Sequence, residues 1–123
     1  MQDQNSSGLT YVVSEKSSFL VISFTGPLIW GNENVVKKCQ DEIAQRRCDR
    51  IVLDLRNVGA VNVAAIPEFV KLQASARQKG RLRLCGLRND VGRLLLEKGA
   101  VREQELREDL KTALKSLGPA EAP

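Results

Sequence analysis

The 123-residue chain contains no histidine. That removes a serine–histidine triad, a histidine-ligated zinc and any imidazole proton transfer. Its three cysteines, Cys39, Cys48 and Cys85, are an odd number without close pair spacing. They suggest neither a disulfide framework nor a four-thiolate metal site, and read as small apolar residues of the interior. From Asn57 to Ala74 there is no Ser, Thr, Tyr, Cys or His, Lys71 is the only amine and Glu68 the only carboxylate. Paired acid and base work there would have to recruit Asp54 or Asp90 from other elements. Gly26, Gly31 and Gly59 stand alone and Gly86 is followed by Leu87, so no glycine loop of the phosphate-cradling kind follows a strand. The expectation is no catalytic residue, no metal ion and no cofactor.

The formal charge is +4, and its placement is uneven. Arg77, Lys79, Arg81, Arg83, Arg88, Arg93, Lys98 and Arg102 crowd one stretch against only Asp90 and Glu97, which leaves the rest slightly acidic. No Phe, Tyr or Trp lies among these cations, as a stacking surface for nucleic acid would need. Arg81 and Arg83 alternate with Leu82 and Leu84, which is the flank of a strand. No nucleic-acid partner is expected, while a weak attraction to acidic proteins or lipid headgroups stays open.

The elements that must position any site follow from periodicity. Residues 9–14 and 19–24 are β-branched or aromatic-rich runs around Glu15, Lys16, Ser17 and Ser18, which reads as an antiparallel hairpin. Residues 32–47 place Val35, Val36, Cys39 and Ile43 at helical intervals, with Asn32 as the N-cap offering its side-chain oxygen. Residues 51–55 form an almost wholly apolar central strand, covered on both faces. A second helix spans 65–79 with Ile66, Phe69, Val70 and Ala74 inward, Pro67 in its first turn and Gly80 as its stop. Then come a strand at 81–85, a third helix with Val91, Leu94 and Leu95 before Lys98 and Gly99, and an extended piece at 101–105. A last helix carries Leu106, Leu110, Ala113, Leu114 and Leu117.

The series β-β-α-β-α-β-α-β-α implies an α/β fold, a mostly parallel central sheet of about four to five strands with four helices. Length, 42% hydrophobic and 28% charged residues fit one globular domain over 9–117, with flexible tails at 1–8 and 118–123. No apolar run approaches the roughly 20 residues of a membrane span, and the first residues lack the parts of a secretory signal. The expected location is the cytoplasm, without stable membrane insertion. Binding loops in such sheets gather at the carboxyl ends of the strands, here after Phe24, Leu55 and Cys85.

Three runs, residues 51–66, 79–87 and 91–100, resemble the STAS domain of anti-sigma factor antagonists, and the likeness extends from about Leu9 to Leu117. It implies a non-catalytic regulatory module that binds a protein partner, commonly an anti-sigma-factor-like kinase. In that family a serine of an Asp-Ser-Ser/Thr-Gly-hydrophobic motif is phosphorylated at the start of the second helix. Aligned here the motif falls on Asn62 to Ile66, and Val63 occupies the phosphoacceptor position without a hydroxyl. Asn62 can still cap the helix as the family's Asp does. In the segment after Gly26, Ile29 stands where the family often carries an acidic residue, and Trp30 follows.

On this resemblance Ile29, Trp30, Val63, Ala64 and Ala65 form an apolar partner-binding surface on neighbouring loops, rimmed by Asn32 and Asn62. Ile29 and Ala65 could equally fill the core, whereas Trp30 is expected to be partly exposed. The implied function is partner capture without the serine switch. The alternative is a structural STAS subunit of a signalling scaffold or of a lipid transport ATPase complex. A homodimer is compatible with either reading.

Overall fold

A computed structural model describes residues 8–29 and 31–118. The expected tails fall outside this span except for Gly8 and Gly118. Among the described residues five strands form one sheet in the order β1-β2-β3-β4-β5. They are β1 (Thr10–Lys16), β2 (Phe19–Thr25), β3 (Arg50–Asn57), β4 (Arg81–Cys85) and β5 (Leu106–Arg107), interleaved with α1 (Glu33–Gln45), α2 (Ile66–Lys79), α3 (Asn89–Glu97) and α4 (Leu110–Ser116). β1 is antiparallel to β2 and every other pairing is parallel. This is the expected α/β architecture, because each long helical crossover returns the chain to the same end of the sheet.

The hairpin strands run further than expected. β1 continues through Lys16, which pairs with Phe19, so the turn shrinks to Ser17 and Ser18, with Ser17 at φ +56°. Glu15 belongs to the strand, where it pairs with Leu20, and its carboxylate meets Arg46 at 2.7 Å.

Alternation divides the sheet into two faces. Leu20, Ile22 and Phe24 of β2, Ile51, Leu53 and Leu55 of β3 and Leu82 and Leu84 of β4 point into the core that α1, α2 and α3 cover. Val52 and Cys85 point the other way, to a smaller cluster closed by Ala113 and Leu117 of α4. All three thiols are free and buried, as expected.

Four expectations about the helices are corrected. Asn32 occupies the N-cap position of α1 but makes no side-chain cap bond; its Nδ2 instead donates to the Pro27 carbonyl at 2.6 Å. Val70 and Ala74 are exposed rather than inward, since α2 turns Phe69, Leu72, Gln73 and Ala76 to the core. Residues 103–105 are a 3-10 turn, so the extended piece falls instead at β5. Leu106 belongs to that strand, where it pairs with Leu84, and the last helix starts at Leu110. Asp109 sets that start by accepting the Thr112 N–H at 2.8 Å.

Candidate functional site

The loops that leave β2 and β3 are joined beyond the ends of the strands. Gly26 N–H donates to the Asn57 carbonyl at 3.1 Å, and Leu28 N–H to that of Ala60 at 2.9 Å. Asn62 N–H returns a bond to the Leu28 carbonyl at 2.8 Å, and Leu28 pairs with Val61 as an isolated parallel bridge. Leu28 and Val58 are fully buried beneath this seam and hold both loops down on the sheet. The neighbourhood expected from the fold is therefore built by backbone pairing, and residues 29 and 63 follow directly on its two strands.

From the seam the chain enters α2 through a 3-10 turn, Val63–Ala65. Asn62 is extended, at φ −100° and ψ 140°, and its Oδ1 accepts the Ala64 N–H at 2.8 Å. The expected cap is present, and it serves the 3-10 turn. With Asn62 fixed, Val63 is thrown outward and is 54% exposed, and Ala64 is exposed beside it. Val63 thus stands as a hydrocarbon knob at the entrance of a 14-residue helix.

The other residues of the expected surface divide. Ile29 is half-buried, and Asn62 is exposed. Ala65 is buried and belongs to the core beneath the turn, and Asn32 is buried at 3% exposure. Neither presents a surface to a partner, so the reading of Asn32 as a rim and of Ala65 as part of the apolar patch is corrected. Trp30 lies outside the described residues.

The structure adds Pro67, which the sequence reading placed only in the first turn, and Val70 and Ala74, which it assigned inward. Pro67, Val70 and Ala74 are exposed and continue from Val63 at intervals of four, three and four, a ridge along the outer face of α2. The signal was present in the spacing, but Val70 and Ala74 fit an inward stripe with Ile66 and Phe69 equally well. Charged groups lie to one side of the ridge. Glu68 accepts from Gln40 Nε2 at 3.3 Å and pairs with Lys71 at 3.3 Å.

The chemistry this arrangement offers is contact. No hydroxyl, thiol, amine or carboxylate occurs from Val58 to Pro67. Asp54, the carboxylate of β3, is buried and committed, accepting the Arg56 N–H at 3.1 Å and the Ser23 hydroxyl at 3.3 Å. Burial pushes the Cys39 and Cys85 thiols up to about 12, so neither is a nucleophile at neutral pH. Among the described residues no group of His, Cys, Asp and Glu could hold a metal ion, and no helix is long and apolar enough to cross a membrane.

The turn after β4 is also fixed by its surroundings. Gly86 has φ +77°, and a Cβ there would lie 2.9 Å from that of Arg56, so only glycine lets β3 and β4 end side by side.

The profile of the STAS domain matches residues 10–113, most of the chain. The chain belongs to the STAS-domain family. Solved structures agree with the fold. A STAS-domain anti-sigma-factor antagonist from Planctomyces limnophilus superposes with a TM-score of 0.73 at 17% identity, over 89% of this chain and 99% of that one. An anti-sigma factor antagonist from Mycobacterium paratuberculosis gives 0.73 at 16% identity, over 89% and 94%. SLC26A9 gives 0.65 at 13% identity, and there 82% of this chain covers 20% of a much longer one. The chain therefore spans about a fifth of that protein, but nearly the whole of the two antagonists. No curated protein sequence matches this chain.

Proposed function

We propose that this STAS domain is a non-catalytic regulatory interaction module of the anti-sigma factor antagonist kind. It captures a kinase-type anti-sigma factor through the loop seam and the outer face of α2, and it lacks the serine switch. The observation that carries this reading is Val63. It stands exposed at the helix entrance, where the family resemblance puts the phosphoacceptor, on a turn still held by the Asn62 cap. A hydroxyl there would accept phosphate; an isopropyl group there can only make contact. The ridge of Pro67, Val70 and Ala74 extends the contact area in the same chemistry.

The test is titration of the purified chain against the kinase-type anti-sigma factors encoded in its own genome, with and without ATP. Saturable binding that ATP leaves unchanged, and that Val63→Asp weakens by about tenfold or more, supports the reading. Phosphate incorporated at Thr25 or Ser75 with loss of binding overturns the unswitched claim. Absence of binding to any of them, together with a lasting stoichiometric complex with scaffold or transport-ATPase subunits, assigns the chain to the structural alternative instead.

A further inference from the structure

The sheet ends in two edges, β1 and β5, and they are finished differently. β5 is two residues long. Arg107 folds its own guanidinium back onto the Leu106 carbonyl at 2.6 Å and the Gln104 carbonyl at 2.9 Å. So short and self-capped an edge offers no template for another strand. β1 is seven residues long, pairs with β2 in one unbroken register, and contains no proline, glycine or bulge. Among the described residues nothing caps the backbone groups on its outer side.

The β1 edge is also held in shape. On the helix side the Tyr11 hydroxyl donates to Glu42 of α1, Val13 packs against the core, and the Glu15 carboxylate meets Arg46 at the end of α1 at 2.7 Å. On the other side Thr10, Val12, Ser14 and Lys16 are exposed. A strand anchored at every second residue has little freedom left to lose when another strand joins it.

The residues of β1 select that strand. In an antiparallel ladder each residue directs its N–H and C=O to one side, and the next residue directs its own to the other. Outward residues must meet outward residues, so a two-fold pairing of β1 with itself is centred on a residue and never between two. Centred on Val13, all seven residues pair. Lys16 then faces Thr10 of the other copy, Glu15 faces Tyr11, and Val12 faces Ser14, so no like charges are opposed. Centring on Val12 leaves Glu15 and Lys16 outside the strand pairing, and centring on Ser14 leaves out Thr10 and Tyr11.

We infer that β1 is a homodimer interface, through which two copies of this chain join antiparallel about a two-fold axis at Val13. The joined sheet is continuous and ends in β5 on both sides. Pairing consumes the long edge of each copy, so assembly stops at two. Val12, 69% exposed in the single chain, comes to lie beside Ser14 of the other copy and diagonally beside its Val12. The interface lies at the sheet edge, away from the α2 ridge, and does not depend on the reading of Val63.

The test is sedimentation equilibrium of the full chain from about 1 to 500 μM, where a one-strand interface is expected to give a dimer that dissociates on dilution. Thr10 and Lys16 stand at opposite ends of one strand, about 20 Å apart, so charges at these two positions meet only across the dimer. T10E is expected to tighten the dimer about fivefold and T10K to loosen it about fivefold, because two symmetry-related pairs change together. Adding K16E to T10K should restore it. Q78E and Q78K make the same changes of net charge at an exposed position of α2 and should leave the dimer within about twofold of the parent, which separates strand pairing from overall repulsion. All these positions are exposed, so dilute samples of every variant should melt with the parent in calorimetry. NMR of a mixed-label sample should show contacts between Thr10 of one copy and Lys16 of the other. A chain that stays monomeric at the highest concentration, a dimer indifferent to the charge at residue 10, or a dimer dissolved by Val63→Asp or Val70→Asp overturns the proposal.

Discussion

The face that carries α1, α2 and α3 buries Leu20, Ile22, Ile51, Leu53, Leu55, Leu82 and Leu84 to 1% exposure or less. The α4 face sets Val52 and Cys85 in rows that also hold Arg50, Asp54, Arg81 and Arg83. There the arginines are managed one at a time. Arg50 lies 5.3 Å from the Phe19 ring centroid, Arg83 donates to the Ser116 hydroxyl at 2.9 Å, and Arg81 donates to the Leu117 carbonyl. Burial and the neighbouring Arg107 and Arg81 lower the Arg83 pKa below the usual range. One face is therefore organised by apolar volume and the other by placing charged heads at the edge of a thin cover. Stability is concentrated on the first, while the second leaves Val12 69% exposed.

The largest break in that comparison should come from truncating the centre of the thick face. Leu53 is completely buried under helices that cannot all collapse onto the vacancy. Leu53→Ala is expected to cost about 3 to 4 kcal/mol by urea unfolding. Leu117 is equally buried but lies in the cluster of only four buried residues beneath α4. Leu117→Ala should cost about 2 kcal/mol, because a seven-residue helix at the end of the domain can settle towards the sheet. Equal losses for the two variants would mean that the two covers are energetically alike.

The division of faces was legible in the sequence where local pattern and tertiary demand agree. Leu82 and Leu84 alternate with Arg81 and Arg83, and the structure puts them on opposite faces as alternation requires. The apolar run at 51–55 announced a strand buried on both sides, though it extends from Arg50 to Asn57. Leu106 misled because it stands four residues before Leu110, a helical interval, while its pairing with Leu84 is a contact across 22 residues that no local period reveals. Val70 and Ala74 misled for a related reason. α2 has more apolar positions than it can bury, and packing against α1 and the sheet chooses Phe69, Leu72 and Ala76. At the candidate site, the Asn62 cap was readable because its partner lies two residues on. The burial of Asn32 was not, since its side chain reaches back across a turn to the Pro27 carbonyl. Nor does any residue type announce the Leu28–Val61 seam, which is made of backbone alone.

The smallest effect tests whether the thin face is as dry as the thick one. Cys39 lies in the core on the inner side of α1 and Cys85 beneath α4, and burial pushes both thiols up to about 12 from the usual 9.0. A thiol that ionises near pH 9 when unfolded but keeps its proton in the fold gives stability that is complete below pH 9. It is lost as pH rises towards 12, because only the unfolded chain then releases the proton. Each thiol should contribute a fall of roughly 1 kcal/mol per pH unit above pH 9. Urea unfolding at pH 8, 9.5 and 10.5 reads this as the difference in slope between the parent and Cys39→Ala or Cys85→Ala, which cancels the lysines and Tyr11 common to all three. Equal flattening by the two substitutions means that four buried residues and one short helix exclude water as well as the larger core does. Flattening by Cys39→Ala alone would show that water reaches the α4 cluster.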